Sequence, residues 1–396
     1  MQEKKLNYNK TLYACFVGYI VQAIVNNFVP LLFLNFQKQY GIPLEKITLL
    51  VTINFGLQLC VDLIAAGFVD KIGYRVSAML AHGFAVAGLV LLTILPEVMA
   101  DPFTGILAAV MVYAIGGGLL EVLISPIVEA CPTDNKETAM SLLHSFYCWG
   151  HVGVVLGSTL FFGLFGIENW KVMACIWALV PLVNFVLFSR VPIASLLSEG
   201  EESMSLKMLA KNRVFWLLMM LMVCAGACEQ AVSQWASTFA EKGLGISKTL
   251  GDLTGPMMFA IFMGTARALY GKYGEKIRLE KFMFFSGMLC LVSYLLIALV
   301  PNAVVGLAGC ALCGLSVGIM WPGTFSMAAA GLRTGGTLMF ALLALAGDLG
   351  CSSGPTVVGA VAGLFEENLR VGILAAVVFP VLLLIGLVMW KKRSGA

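Results

Sequence analysis

Charge is what this chain has little of. Only 12% of its 396 residues are Asp, Glu, Lys or Arg, about half the share of an ordinary soluble domain. In water, this length would suggest two or three domains, but so few charges could not cover their surfaces. Histidine is scarcer still, with three copies and no H-E-x-x-H. Scattered histidines are poor material for a catalytic metal, and no enzyme is expected. The net charge of +3 comes without a basic tract, so nucleic acid is not an expected partner. Cys310 and Cys313 form a C-x-x-C, but no second cysteine pair or histidine cluster completes a metal site. Nearly all eleven cysteines stand inside apolar runs, where the thiol packs as a small hydrophobe. No cofactor or metal is expected.

What the chain does have is apolar length. Hydrophobic residues make up 60% of it, and its mean hydropathy is +0.92. Runs near 20 apolar residues recur, about what a bilayer-crossing helix needs. Hydropathy places twelve spans at 11–35, 47–69, 76–95, 103–130, 139–165, 170–190, 214–239, 253–273, 281–299, 304–330, 336–364 and 369–390. The reading is an all-α, multi-pass membrane protein whose non-protein partners are the lipid bilayer and a small solute. The polar start, MQEKKLNYNK, runs into a full-length span without a small-residue cleavage site, so no cleaved leader is expected.

Twelve spans put both termini on one side. Nineteen of the Lys and Arg residues fall on that side, against Lys38, Lys46, Lys171, Lys242, Lys248 and Arg370 opposite. The positive-inside bias makes both ends cytoplasmic. Minimal loops suggest a bacterial cytoplasmic membrane. The longest polar connection, 191–213, splits the chain into six-span halves, 1–190 and 214–396. The halves resemble each other. Gly41-Ile42 and Gly245-Ile246 share an offset that also carries Gly67 onto Gly271. Further on, Gly150, Gly153 and Gly157 fall on Gly347, Gly350 and Gly354, and His151 falls on Asp348. Parallel repeats of this kind belong to transporters, with the solute site expected between the halves near the midplane. Twelve spans make a complete transport unit, so a monomer is expected.

Between the second and third spans the chain reads Gly67-Phe-Val-Asp70-Lys-Ile-Gly73-Tyr-Arg75. Glycines permit close helix approach and a tight turn, while Asp70 can pair with a cation or a helix N-terminus. The segment resembles the G-x-x-x-D-x-x-G-x-R loop of the major facilitator superfamily, and the resemblance extends over essentially the whole chain. It implies two pseudo-symmetric six-helix bundles working by alternating access, with Gly67, Asp70, Gly73 and Arg75 as gating residues. Arg267, near the end of the eighth span, is a further gating candidate.

Ionisable groups inside a bilayer cost on the order of 3 kcal/mol each, so each is a functional candidate. Glu121 sits mid-span in GGGLLEVLISPI, with Ser125 one turn on and Pro126 beside it. An acid in a desolvated setting can take up and release a proton. This segment resembles the fucose permease family, whose fourth span carries G-x-G-x-x-E-x-x-x-N-P with a glutamate tied to proton coupling; Ser125 stands in place of its Asn. In the seventh span, Glu229-x5-Trp235 followed by Thr238-Phe239 resembles the G-x-E-x5-W-x-x-T-Y of fucose permeases and their sodium–glucose cotransporter relatives. Gln230 and Gln234 share a helix face beside Glu229. Amides and a carboxylate engage sugar hydroxyls, and an indole such as Trp235 or Trp321 can stack on a sugar's C–H face. Gln22, Asn26 and Asn27 are expected to face them from the first span.

The fifth span, SLLHSFYCWGHVG, resembles the family's N-L-L-H-x-F-x-x-x-G, which makes His144 and Tyr147 solute-site candidates. His151 lies two turns on, and histidine titrates near neutral pH. His151 and Asp348 join Glu121 as proton-coupling candidates. The family's first-span aspartate has no counterpart, since Ala23–Leu34 contains no acid. The expected function is proton-coupled symport of a monosaccharide or similar hydroxylated solute. The alternatives are sodium-coupled sugar uptake and efflux of amphipathic organic compounds.

Overall fold

In the computed structural model, residues 8–132, 136–193, 204–273, 278–332 and 336–394 are described. All regular structure among them is helical, as hydrocarbon demands of a chain that must satisfy its own backbone groups. Among the described residues, ten stretches are long and apolar enough to cross a membrane, the first Asn9–Tyr40 and the last Leu369–Lys392. The other two expected spans are helices too, Pro256–Tyr273 and Gly336–Leu364.

The first half runs α1 (Asn9–Asn27), α2 (Phe33–Tyr40), α3 (Leu44–Ile72), α4 (Tyr74–Val98), α5 (Pro102–Ala130), α6 (Lys136–Phe165) and α7 (Trp170–Arg190). The second runs α8 (Leu206–Lys211), α9 (Arg213–Ser233), α10 (Ala236–Thr238), α11 (Lys248–Thr254), α12 (Pro256–Tyr273), α13 (Leu279–Leu299), α14 (Ala303–Val317), α15 (Met320–Gly331), α16 (Gly336–Leu364), α17 (Leu369–Ala375) and α18 (Val378–Ser394). Local chemistry sets several boundaries. Asp101 caps α5 through the Phe103 N–H at 3.2 Å, with Pro102 in the first turn, where its missing N–H costs nothing. Asn212 and Asn302 cap α9 and α14 in the same way. Gly41 and Gly245, matched by the sequence repeat, both adopt φ of +66°.

By contacts the chain forms two compact units, Met1–Val29 with Leu57–Glu199, and Pro30–Gly56 with Gly200–Ala396. In the first, α1 packs on α5, α6 and α7, and α4 on α5 and α7. In the second, α9 packs on α14, α16 and α18, and α13 on α14 and α18. The two pairing patterns correspond, which is the repeat seen as packing. Small residues let α9 and α16 approach closely. A Cβ at Gly226 would stand 2.1 Å from the Gly347 carbonyl oxygen, and one at Gly350 would stand 2.0 Å from that of Val223. Membrane helices associate through such small-residue seams, where lipid provides no hydrophobic drive.

Residues 30–56 group with the second unit rather than the first. Lys38 pairs with Glu241 at 3.0 Å, Lys242 with Glu367, and the Gln37 amide reaches Glu367 at 3.5 Å. Deeper, Thr52 and Thr356 share a hydroxyl hydrogen bond of 2.5 Å, and Phe33 lies against Trp235.

Candidate functional site

Each unit carries a buried polar patch, and each is built from side chains that an apolar helix would not hold without a partner. In the first unit the patch centres on Gln22 of α1. Its Nε2 donates to Gln58 Oε1 at 2.9 Å and to Glu121 Oε2 at 3.1 Å. Gln58 Nε2 in turn donates to Asn26 Oδ1 at 2.9 Å. The chain Asn26–Gln58–Gln22–Glu121 thus joins α1, α3 and α5 and ends on a carboxylate. Gly117 leaves the room this needs, because a Cβ there would sit 3.0 Å from the Gln58 amide carbon.

The other expected members of this patch gather around it. Ser125 shares a 3.0 Å hydrogen bond with Tyr19, whose ring meets His144 edge-on at 5.3 Å. Asn27 Nδ2 donates to the Ala23 carbonyl at 2.9 Å and reaches the Tyr147 hydroxyl at 3.4 Å. His151, two turns beyond His144, is buried; His144 is only half-buried, so the two imidazoles on one helix face meet different surroundings.

In the second unit Glu229 and Arg267 form an ion pair, with Nη2 3.4 Å from Oε2. Arg267 Nε also donates to the Gly318 carbonyl at 3.2 Å. Gln230 Nε2 reaches Glu229 at 3.4 Å, and Gln234 Nε2 donates to Gln230 Oε1 at 3.0 Å. The candidate gate cation and the candidate solute-site acid are therefore one ion pair. Asp348 is buried on α16. Beside it, the Trp321 ring fills the space over Gly347, where a Cβ would stand 2.2 Å from the ring edge. Trp235, expected to offer a face to solute, is fully buried. Its Nε1 donates to the Pro355 carbonyl at 3.0 Å while its ring packs on Phe33, so here that face meets protein.

The loop residues divide. Gly73, at φ +85°, makes the turn between α3 and α4, a conformation that favours glycine. Arg75 donates to the Phe188 and Val191 carbonyls at 2.8 and 2.7 Å, capping the end of α7. Gly67 and Asp70 fall on α3, but their surroundings lie outside the described residues.

Several polar residues escaped the sequence reading. Gln58, which links Gln22 to Asn26 in the first patch, is a neutral amide in an apolar span. His82 and Asn184 form a second buried link in the same unit. His82 Nδ1 lies 2.7 Å from the Ala78 carbonyl, and Asn184 Nδ2 lies 2.7 Å from His82 Nε2 and 3.0 Å from the Ala14 carbonyl. A carbonyl only accepts, so Nδ1 carries the proton and Nε2 receives the amide. Asp252 takes Lys248 at 2.8 Å and the Ser237 hydroxyl. Gly314-Leu315-Ser316-Val317-Gly318 also spells a G-x-S-x-G. It is no nucleophile elbow, which needs an exposed serine on a strand-to-helix turn. Ser316 is buried inside α14 and donates to the Cys313 carbonyl at 2.6 Å.

Comparison with known proteins places the chain. The Major Facilitator Superfamily model matches residues 12–355. No curated protein matches by sequence. Among solved structures, a bacterial homologue of the human lysosomal transporter Spinster, inward-facing and occupied, aligns with a TM-score of 0.77 at 15% identity, covering 98% of each chain. The E. coli fucose:proton symporter FucP aligns with a TM-score of 0.67 at 16% identity, covering 96% of this chain and 98% of that one. The outward conformation of FucP gives 0.66 over the same shares.

Proposed function

We propose that this chain, which belongs to the major facilitator superfamily and is a multi-pass membrane transporter rather than an enzyme, is a proton-coupled symporter of a monosaccharide or a similarly hydroxylated small solute. The observation that carries the reading is the contact between Gln22 and Glu121 within a run of amides. Both N–H groups of the Gln22 amide are committed, one to Gln58 and one to the carboxylate. Protonating Glu121 turns one of its oxygens from acceptor into donor. The bond from Gln22 then weakens, or breaks where the proton sits on Oε2, and Gln58 and Asn26 feel the change through the same amide. A proton on Glu121 and a hydroxylated solute at these amides are thereby coupled through shared hydrogen bonds. The FucP likeness supports the solute class and the ion, since that protein is a fucose:proton symporter.

In this reading Glu121 takes up the proton, with Asp348 and His151 as further coupling groups. Gln22, Asn26, Asn27, Ser125, His144 and Tyr147 of the first unit contact solute, as do Glu229, Gln230, Gln234 and Trp321 of the second. Gly67 and Asp70 at the end of α3 and Gly73 in the turn after it act as gating residues. The protein works as a monomer in the cell membrane by alternating access, with both termini cytoplasmic.

The test is uptake into liposomes holding the purified protein, with hexoses, deoxyhexoses and amino sugars first screened by thermal shift. A stabilising sugar should accumulate when an inward proton gradient is imposed. Glu121→Gln should abolish accumulation while sparing exchange of sugar down its gradient. Accumulation that persists in Glu121→Gln rejects the role of Glu121. A melt that shifts with amphipathic compounds and with no sugar rejects the solute class.

A further inference from the structure

We infer that the groove between α13 and α18 is a binding site for an anionic phospholipid, drawn from the leaflet that the C-terminal end of α18 faces. The two helices pack together, and the start of α13 meets the end of α18. A groove of about 700 Å³ lies between them. At its polar end stand Arg278, Lys281 and Lys391, with Glu280 the only acid among the described residues of the lining. Below them the walls are Phe284, Phe285, Leu387 and Val388. A cluster of cations above an apolar trough matches the two parts of a lipid, a charged head and its chains. Basic pockets between membrane helices recognise anionic headgroups in this way.

Two features favour a lipid over a free anion, and a third suits the phosphate of its headgroup. Along α13, Lys281, Phe285, Met288 and Val292 recur at spacings of four, three and four, one helix face. The three apolar members are exposed, Phe285 by 68%. That stripe continues the trough along the helix in the direction an acyl chain would run. On α18, Val388 is exposed one turn before Lys391, so the cation is placed at the end of an apolar path there too. Finally, Arg278 is the N-cap of α13 and makes no side-chain cap bond. The first-turn N–H groups of a 21-residue helix therefore point toward the same end as the cations, an arrangement suited to phosphate.

The experiment uses the full chain in phosphatidylcholine nanodiscs, titrated with phosphatidylglycerol or cardiolipin and read by native mass spectrometry and by the melting midpoint. Inorganic phosphate is titrated in parallel. Anionic lipid should bind and raise the melt, while added phosphatidylcholine and phosphate leave both readouts unchanged. The triple variant Arg278→Gln, Lys281→Gln, Lys391→Gln should weaken lipid binding on the order of 100-fold. A control triple at the exposed cations of the α8–α9 region, Lys207→Gln, Lys211→Gln, Arg213→Gln, should bind as the wild type does. Phe285→Asn should weaken lipid binding as well. If the first triple fails to fold in phosphatidylcholine, Lys391→Gln alone, near the end of the described chain, should still weaken binding several-fold. Equal losses in both triples would mean diffuse charge attraction and overturn the site. Phosphate binding as tightly as lipid, or Phe285→Asn binding as tightly as wild type, would overturn the acyl groove.

Discussion

Arg267 and Glu229 lie 38 residues apart in sequence, and the guanidinium of α12 reaches the carboxylate of α9 at 3.4 Å with both side chains largely withdrawn from solvent. The pair joins two groups that each would be costly alone. Removing one partner of a buried ion pair costs about 3–5 kcal/mol, because the survivor is left uncompensated. Arg267→Gln should therefore lower the melting midpoint sharply. The double variant Arg267→Gln, Glu229→Gln should melt closer to the wild type than either single. A single variant that melts as the wild type does would show that the pair contributes nothing to stability.

Trp321 and Gly347 make a second prediction. The indole stands where a methyl at 347 would go, so Gly347→Ala should cost about 1–3 kcal/mol by overpacking. Adding Trp321→Leu should recover most of the loss, since it removes the ring that clashes. If the double variant melts no higher than Gly347→Ala, the strain lies in the α9–α16 seam instead, where the Gly347 carbonyl meets Gly226.

A third concerns pH. The hydrogen bond and charge of Lys242 hold the Glu367 carboxyl below the ordinary carboxylate range, against a smaller opposing effect of burial. The carboxyl is depressed in the fold, so its contribution is complete above its ordinary value of 4.5. It is lost as pH falls through the folded value. The pair is about a third exposed, so the effect is held to under about 1 kcal/mol. Glu367→Gln should melt slightly below the wild type at neutral pH, and the difference should close in acid. A difference that stays constant with pH would assign it to packing.

Gln58→Leu gives the fourth. It removes the acceptor for Gln22 and the donor for Asn26 in one substitution. A buried amide that loses one of its hydrogen-bond partners costs about 1–3 kcal/mol. Thermal melts should show that loss, and sugar-dependent stabilisation should weaken with it. Unchanged sugar stabilisation would place the solute away from these amides.

The twelve spans were legible because hydrocarbon imposes length and apolarity on every crossing, and each expected span is helical, some of them in two pieces. Gly41 and Gly245 were legible as repeat partners and share one backbone angle. Glu121 stood out because a mid-span acid is expensive wherever it points. Gln58, His82 and Asn184 did not, since a lone neutral amide or imidazole costs far less and its meaning lies in partners such as Asn184 for His82, 102 residues away. Arg75 was assigned to a loop by its neighbours, whereas its guanidinium reaches back to the carbonyls ending α7. Trp235 was read for its face, but the protein itself covers that face. Spacing along one helix reveals which residues share a side, and only the packing reveals what stands opposite.

Pro126 lies inside α5, five residues after Glu121 and next to Ser125. Lacking an N–H, it cannot donate to the Val122 carbonyl one turn back. That carbonyl keeps its acceptor strength at every pH, whereas Glu121 gives up an acceptor when it binds a proton. If Glu121 is a group that changes state, its neighbour is thus one that cannot. A hydroxyl anchored to the Val122 oxygen would keep its place while its neighbours exchanged partners, so grip and release at this depth would belong to different atoms.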